Sequence, residues 1–552
     1  MSAEEKPDLP SQPTDSATGD ESAADMIAKV EARAAAIEAK TAAKQEAPAP
    51  EVKLDKSFVL DCLSRNKIGD AALFCALFPG KYIFVQEWEK FLYWTGHYWE
   101  VDKRSRRALA DAERLCKAYQ DAWAEANEDE GSPLHKLLTS RLRSLRGAPG
   151  RKELLECVTT IDNPPVISAE QLDQQPYLLA TPTGVVDLRT GECNPGRPEQ
   201  YLSSPCPTPW AGLDAPCPTF QNFLLTCMAD DQEMADFLVR LLGYALLGEK
   251  HLHIWAIMYG PLSRNGKDTL MNVIKRVLGK RLHVRIPVAM LVEQKFQRDS
   301  SQPQADLMAL RGTRIAYASE ANSRQALDQA KIKDLTGGGY ITARGITDKD
   351  MTEWKQSALL LLLTNYLPRI NSDDDGFNAR TICIEWPVKF VPEPVKEYER
   401  QIDYNIAQKM ESEQSGILAL LVRGCMDVIA NGLRIPEKVL HYTKEQIDSF
   451  DDIGKFLREC CDQEDPPIGG REYQTRTAAS ELLKICNWWC RKTLGNTYPY
   501  TPKKFTPALE KKGIPTKKSS TMFYLGVTVR QEIMDEYEQD MAEAEDRGRR
   551  RS

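Results

Sequence analysis

The stretch HIWAIMYGPLSRNGKDT, residues 253–269, decides how the rest of the chain is read. His253–Tyr259 has the pattern of a strand buried on both faces. Gly260-Pro-Leu-Ser-Arg-Asn-Gly266-Lys267 turns the chain, and Leu270–Leu278 follows as an amphipathic helix closed by Gly279. Strand, glycine-rich turn ending in Gly-Lys, then helix is the order of a phosphate-binding loop. Backbone N–H groups at the helix start cradle phosphate oxygens, and the lysine neutralises them. Gly260, Asn265, Gly266, Lys267, Asp268 and Thr269 are therefore the expected ATP-binding set. Two features depart from the usual pattern. The first glycine stands one residue further from Gly266-Lys267 than usual, and Asp268 follows the lysine where Ser or Thr normally meets Mg²⁺. A carboxylate there can ligate or water-bridge the ion, with Thr269 beside it.

Working outward, Thr313–Ala318 reads as a second buried strand and runs into Ser319-Glu320. An acid at a strand's carboxyl end facing such a loop is placed to approach the metal and to polarise an attacking water. Ala358–Leu363 is a third strand ending in Thr364-Asn365, and Asn365 is a candidate for orienting that water. Asp373-Asp-Asp-Gly-Phe-Asn-Ala-Arg380 precedes a fourth strand, Thr381–Trp386, which makes Arg380 a candidate arginine finger. The expected catalytic set is Lys267, Glu320, Asn365 and Arg380, and the expected metal set Asp268, Thr269 and Glu320. Between the second and third strands, Leu335 to Trp354 alternates on either side of Gly345 and predicts a β-hairpin.

The set GPLSRNGKDT, IAYASE, KDLTGGGYITAR, LLLTNYLP and DGFNAR resembles superfamily 3 helicases. More narrowly, it resembles the helicase half of phage, plasmid and poxvirus-like primase-helicases. Leu179 to Gly191 looks like the region before the ATPase in that family, and Arg240–Gly248 is similar to its helical collar. The resemblance implies a multidomain α/β chain. Its parts are an N-terminal α+β region, a helical collar, an AAA+ P-loop ATPase core and a C-terminal winged helix. It also implies ATP and Mg²⁺, a homo-oligomeric ring that is usually a hexamer, and ATP between subunits with the finger given in trans. Pore hairpins would contact single-stranded DNA, which nominates Lys349 first, then Lys333, and Arg344 within the same motif. Lys349 lies between Asp348 and Asp350 and equally reads as a solvated turn. The single Arg380, where relatives often show a basic pair, is a further departure.

The 552 residues, 42% hydrophobic and 28% charged, can bury a sizeable core and suggest about three or four domains. Residues 1–52 hold no aromatic residue and eleven acids against five bases, and read as a disordered tail and linker. The expected boundaries are 53–205 for the N-terminal domain, 206–250 for the collar and 251–395 for the ATPase. A helical segment 396–446, a winged helix 447–530 and a charged tail or frayed helix 531–552 complete them. No apolar run approaches membrane-spanning length, and MSAEEKPDLP is no secretory signal, so no membrane is expected and the location reads as the cytoplasm of a bacterial host.

The net charge of −8 hides a local excess: residues 491–530 carry nine bases and one acid. Lys503, Lys504, Lys511, Lys512, Lys517 and Lys518 are the expected duplex or forked-DNA contacts. A protein-docking face is the other reading of that charge. No paired-carboxylate cluster with a zinc module is visible, so primase activity is not expected, and a separate primase or other replication proteins are candidate partners. The leading function is an ATP-driven replicative helicase of a phage or mobile element. An ATP-dependent initiator or loader is the second reading.

Overall fold

A computed structural model describes residues 54–126, 129–294, 304–320, 325–346, 351–467, 472–495, 499–519 and 521–549. The 1–52 tail and Lys349 lie outside the described residues.

The N-terminal part starts with helices α1 (Lys56–Ser64) and α2 (Asn66–Leu77) and strands β1 (Tyr82–Val85), β2 (Lys90–Trp94) and β3 (Trp99–Val101). Helices α3 (Arg106–Ala124), α4 (Pro133–Arg146) and α5 (Ala148–Val158) follow, then strand β4 (Val166–Ile167). The helices share one apolar core that includes Leu63, Phe74, Leu115, Tyr119 and Leu154. A buried ion pair joins α2 to α4: Arg141 donates to Asp70 at 2.8 Å, and the Tyr119 hydroxyl donates to the same carboxylate at 2.7 Å. Three short strands, β5 (Leu178–Thr181), β6 (Gly184–Asp187) and β7 (Cys193–Asn194), lead to helices α6 (Pro218–Cys227) and α7 (Gln232–Ala245). The expected collar, 206–250, thus contains two helices with a break between them. Ala229 and Asp230 take positive φ values of 56° and 64° and turn the chain between them.

The central sheet comes from the apolar runs named above. Strand β8 (Trp255–Tyr259) leads into helix α8 (Lys267–Leu282), followed by β9 (His283–Arg285), β10 (Ile315–Ser319) and helix α9 (Gln329–Thr336). The hairpin β11 (Tyr340–Ala343) and β12 (Thr352–Lys355) precedes β13 (Leu359–Thr364) and β14 (Thr381–Glu385). The order across the sheet is β14-β8-β13-β10-β9, with every neighbouring pair parallel. Parallel strands covered on both sides need apolar residues at every position. In β13 all six residues, LLLLLT, are buried. Strand alternation sends Met258, Leu361 and Ile384 to one core and Ile257, Leu360 and Cys383 to the other. The edge strand β9 was not foreseen. It has only three residues, HVR, and only one of them is fully buried.

The first of these cores continues into α6, α7 and helix α10 (Gln414–Asn431), so the expected collar and the expected helical segment form one helical layer on the sheet. The 396–446 segment is not helical throughout. Strand β16 (Glu399–Gln401) pairs in parallel with β15 (Lys389–Val391) before α10, and helix α11 (Glu437–Asp448) ends it.

The C-terminal part contains helix α12 (Asp452–Cys460), strands β17 (Cys461–Gln463) and β18 (Arg476–Ala478), and helices α13 (Ala479–Thr493) and α14 (Pro502–Lys511). Strands β19 (Thr516–Lys518), β20 (Met522–Leu525) and β21 (Val527–Val529) complete a sheet of order β18-β20-β19 and a β17-β21 pair around a separate core. The last described stretch, expected as a charged tail or a frayed helix, is helix α15 (Gln531–Arg549). Ile533, Met534 and Tyr537 pack on the C-terminal core, and Lys492 pairs with Glu536 at 2.8 Å and Asp540 at 2.7 Å. These apolar residues recur at helical spacing among the acids and give the helix a packed face.

Helices α7 and α10 cross with their backbones in contact. A Cβ on Gly243 would lie 2.4 Å from the Cys425 nitrogen. Gly243→Ala should therefore destabilise the fold by about 1–3 kcal/mol, as overpacking of a tight core does. Denaturant unfolding measures it, and an unchanged midpoint would mean that the helices separate without cost.

Candidate nucleotide site and nucleic-acid contacts

Because the strands are parallel, their carboxyl ends lie on one side of the sheet, where open α/β sheets bind ligands. Gly260 after β8, Glu320 after β10 and Asn365 after β13 all stand there. Two backbone bonds tie these ends together. Gly260 N donates to Thr364 O at 3.1 Å, and Glu320 N donates to Leu363 O at 3.1 Å.

The loop geometry explains its glycines. Gly266 precedes α8 with φ 93°, and a Cβ there would also strike Cys227 Sγ at 2.6 Å. A Cβ on Gly260 would lie 2.1 Å from Asn265 Nδ2, 2.7 Å from Lys267 Nζ and 3.0 Å from Trp386 Cβ. Asn265 is buried and donates to the Gly260 and Leu262 carbonyls, which holds the loop closed on itself. Lys267 is 5% exposed, and its ammonium donates to Asn365 Oδ1 at 3.0 Å. Burial lowers its pKa to about 8, against a small opposing pull from Asp268. A buried ammonium whose hydrogen-bond partner is a neutral amide is short of negative charge, which suits a phosphate oxygen.

Glu320 is exposed and takes φ 70°, a left-handed conformation that a non-glycine residue holds at a cost of about 1–3 kcal/mol. Asp268 is exposed in the first turn of α8. Thr269 lies on a groove with Asn272, Lys275, Arg276 and Ala407. Arg380 is not grouped with the others. Trp255 N donates to Arg380 O, so this arginine sits where β14 and β8 begin, at the opposite end of the sheet from the loop. Five residues of strand separate the two ends, about 16 Å. Its guanidinium is half-buried and donates to Lys333 O at 2.6 Å and Thr336 Oγ1 at 3.4 Å.

The cations expected to meet DNA divide into engaged and open ones. Lys333 pairs with Asp374 at 2.7 Å, and Arg344 is half-buried with its carbonyl taken by Gln304 N. In the C-terminal part, Lys511 pairs with Asp375 at 3.3 Å, Lys512 with Asp451 at 2.6 Å and Lys517 with Glu472 at 3.2 Å. Lys503, Lys504 and Lys518 are exposed and have no ion-pair partner among the described residues. Trp386, Cys227 and Arg264 were not singled out from the sequence. The first two press on the loop glycines, and Arg264, with φ 60°, offers its carbonyl to Phe390 N at 2.8 Å. Only the glycines hint at such close neighbours, and they do not say which residues supply them.

The chain is similar to several viral proteins. Residues 71–229 match the family described as D5 N terminal like. A putative helicase, L207/L206 of Acanthamoeba polyphaga mimivirus, is 28% identical over 302 residues, covering 52% of this chain and 31% of that protein. The putative primase C962R of African swine fever virus is 27% identical over 141 residues, covering 25% of this chain and 14% of its own length. The putative helicase 184R of Invertebrate iridescent virus 6 is 26% identical over 233 residues, covering 41% and 23%. The chain thus spans less than a third of the length of these relatives. Among solved structures, the apo NrS-1 C-terminal region aligns with 83% of this chain and 99% of that one, at 12% identity and a TM-score of 0.42. The resemblance read from the five motifs therefore stands: the chain is similar to superfamily 3 helicases of the primase-helicase type. Among the described residues, no helix is long and apolar enough to cross a membrane.

Gly260→Ala should push Asn265 and Lys267 out of their places and lower stability by about 1–3 kcal/mol. Unfolding midpoints of the nucleotide-free protein measure it, and a midpoint equal to wild type would show that the loop relaxes at no cost.

Proposed function

We propose that this chain is an ATP-driven DNA helicase of a virus or mobile element, built on an AAA+ core and acting as a ring, with a hexamer as the expected size. The observation that supports it best is the Lys267–Asn365 hydrogen bond beside Glu320, at the carboxyl ends of adjacent parallel strands. In this reading Lys267 and the N–H groups at the start of α8 bind the β- and γ-phosphates of ATP. Asn365 orients the attacking water, and Glu320 takes its proton. Mg²⁺, held by Asp268 and Glu320 with Thr269 near, would supply charge neutralisation at the phosphates.

Arg380 is the residue that calls for a second subunit. It lies a strand's length from its own Lys267, so as a finger it serves a neighbour's nucleotide. Translocation on single-stranded DNA would use the β11–β12 hairpin. The C-terminal part, with helices α13 and α14 and the β18-β20-β19 sheet, is proposed as a winged helix that holds duplex or forked DNA.

Lys267→Ala should abolish ATP hydrolysis. Glu320→Gln should bind ATP yet turn it over about 10²–10⁴-fold more slowly, the usual worth of a general base. Mixing Lys267→Ala with Arg380→Ala subunits should restore a fraction of the activity that neither has alone. Wild-type turnover by Glu320→Gln would sink the catalytic assignment. No recovery at any mixing ratio, with assembly intact, would sink donation in trans.

The pairing of the C-terminal cations gives a second expectation. Lys503→Ala/Lys504→Ala should weaken duplex binding more than Lys511→Ala/Lys512→Ala, because the latter pair is already bound to Asp373, Asp375 and Asp451. Anisotropy titrations at several salt concentrations measure both, and the reverse ranking would contradict the reading.

A further inference from the structure

The start of helix α3 holds positive charge where a helix gains nothing from it. Lys103, Arg104, Arg106 and Arg107 are exposed within five consecutive positions. None of the four has a carboxylate ion partner among the described residues. The helix end does not need them. Buried Asp102 accepts from Arg107 N at 3.1 Å and Ala108 N at 3.0 Å and so satisfies that end. Cations at the positive end of a helix dipole are unfavourable. The chain also takes left-handed backbone at two non-glycine residues, Arg104 with φ 60° and Ser105 with φ 51°.

A fifth cation joins them. Leu92 faces Val101 in the antiparallel β2–β3 pair, and Asp102 N donates to Phe91 O. Exposed Lys90 opens β2, the strand that packs against the 3-10 turn Lys103–Ser105. Arg107 is held flat over the Tyr93 ring, 4.1 Å from its centre, and Tyr93 donates to Glu100. Apart from the buried cap Asp102, Glu89 and Glu100 are the acids nearest along the chain. Elsewhere in this part several cations are paired: Lys67 with Glu153, Lys81 with Asp111, Arg141 with Asp70 and Arg151 with Glu113. What sets this group apart is its density: four open cations within five positions at one helix start, where they cost the helix stability.

We propose that Lys90, Lys103, Arg104, Arg106 and Arg107 form a second DNA-binding surface, one that grips the sugar-phosphate backbone without reading sequence. Side chains that only donate, carried on a rigid helix start and strand, suit phosphate oxygens, and contacts of that kind position DNA and do not read its bases. The proposal does not depend on ATP hydrolysis, and its test is made without nucleotide.

The full chain is titrated by fluorescence anisotropy with a labelled oligonucleotide, as single strand and as duplex, over a range of salt. Lys103→Ala/Arg104→Ala/Arg106→Ala should lose about tenfold or more in affinity for at least one form. The slope of log affinity against log salt should become shallower by about 2–3, since each lost phosphate contact removes roughly 0.7–0.9. The loss should persist in a Lys503→Ala/Lys504→Ala background, which separates this surface from the C-terminal one. Lys67→Ala, which removes a paired cation from the same part, should leave binding unchanged. Arg104→Gly guards against misfolding. Glycine accepts the left-handed backbone, so this variant should melt no lower than wild type while still binding DNA more weakly. Unchanged affinity and slope for both DNA forms would overturn the proposal and leave an acidic protein face as the better occupant. So would a loss that tracks only a lowered melting temperature.

Discussion

Everything at the carboxyl end of the central sheet is arranged around one buried charge. Lys267 keeps an ammonium almost wholly out of water, with an amide oxygen where a carboxylate might have been. Taking a charge out of water is costly unless it is compensated, and the lowered pKa records that cost. The neighbours are chosen by it. Gly260 has no side chain because the lysine and Asn265 fill that space, Trp386 closes the loop from β14, and Cys227 closes it from α6. Asn365 reaches the lysine only because β13 and β8 run parallel in a register that pairs Thr364 with Tyr259. An acid in the place of Asn365 would satisfy the lysine permanently. A neutral amide orients it and leaves its charge available.

The same parallel register separates the functions. A strand has two ends, and side chains at opposite ends of a sheet cannot meet within one chain. Glu320 and Asn365 are brought to the loop by the strands that carry them. Arg380, placed just before β14, is carried away from it by the same geometry. It rests on the C-terminal turn of α9, where Lys333 also ties down Asp374. The segment between Asn365 and Arg380 thus crosses from one end of the sheet to the other, and its three acids are divided. Asp374 pairs with Lys333, while Asp373 and Asp375 face Lys511 and Lys512 of the C-terminal part. The arginine is held by neutral oxygens, so its charge, like that of Lys267, is not cancelled by a carboxylate among the described residues.

What the sequence revealed follows from which signals are local. Buried parallel strands must be apolar at every position, so IWAIMY, RIAYAS and ALLLLL could be found by eye, and the residues after each could be assigned to one end of a sheet. Strand β9 lacked that signature because it is short and lies at the edge. The break between α6 and α7 was hidden because Ala229 and Asp230 are not residues whose type announces a left-handed turn. In the candidate site, the loop residues and Asn365 were legible because motif spacing fixes them. The neighbours Trp386 and Cys227 were not, because their contacts are made across the fold. The charged stretch after Arg530 reads as a tail or a frayed helix when counted as net charge. The stripe of Ile533, Met534 and Tyr537 decides for the helix.

Charge counting failed in a second and more general way. A run of lysines in a sequence gives the number of cations but not the number that are free. Across residues 491–530 the excess of bases is large, yet Lys511, Lys512, Lys517 and Arg530 are matched with acids from elsewhere in the chain. Exposed pairs of this kind contribute little to stability, about 0–1 kcal/mol each, so they do not explain the fold. They do change what a polyanion meets on arrival. A free cation exchanges a counterion for a phosphate, whereas a paired one must first give up its carboxylate, so the second contact is worth less although the sequence counts both equally. The stretch around Arg104, which stands out less in a composition scan, offers more open charge per residue than the lysine-rich C-terminal part. On a chain of net charge −8, a polyanion is drawn to where acids are missing rather than to where bases are many.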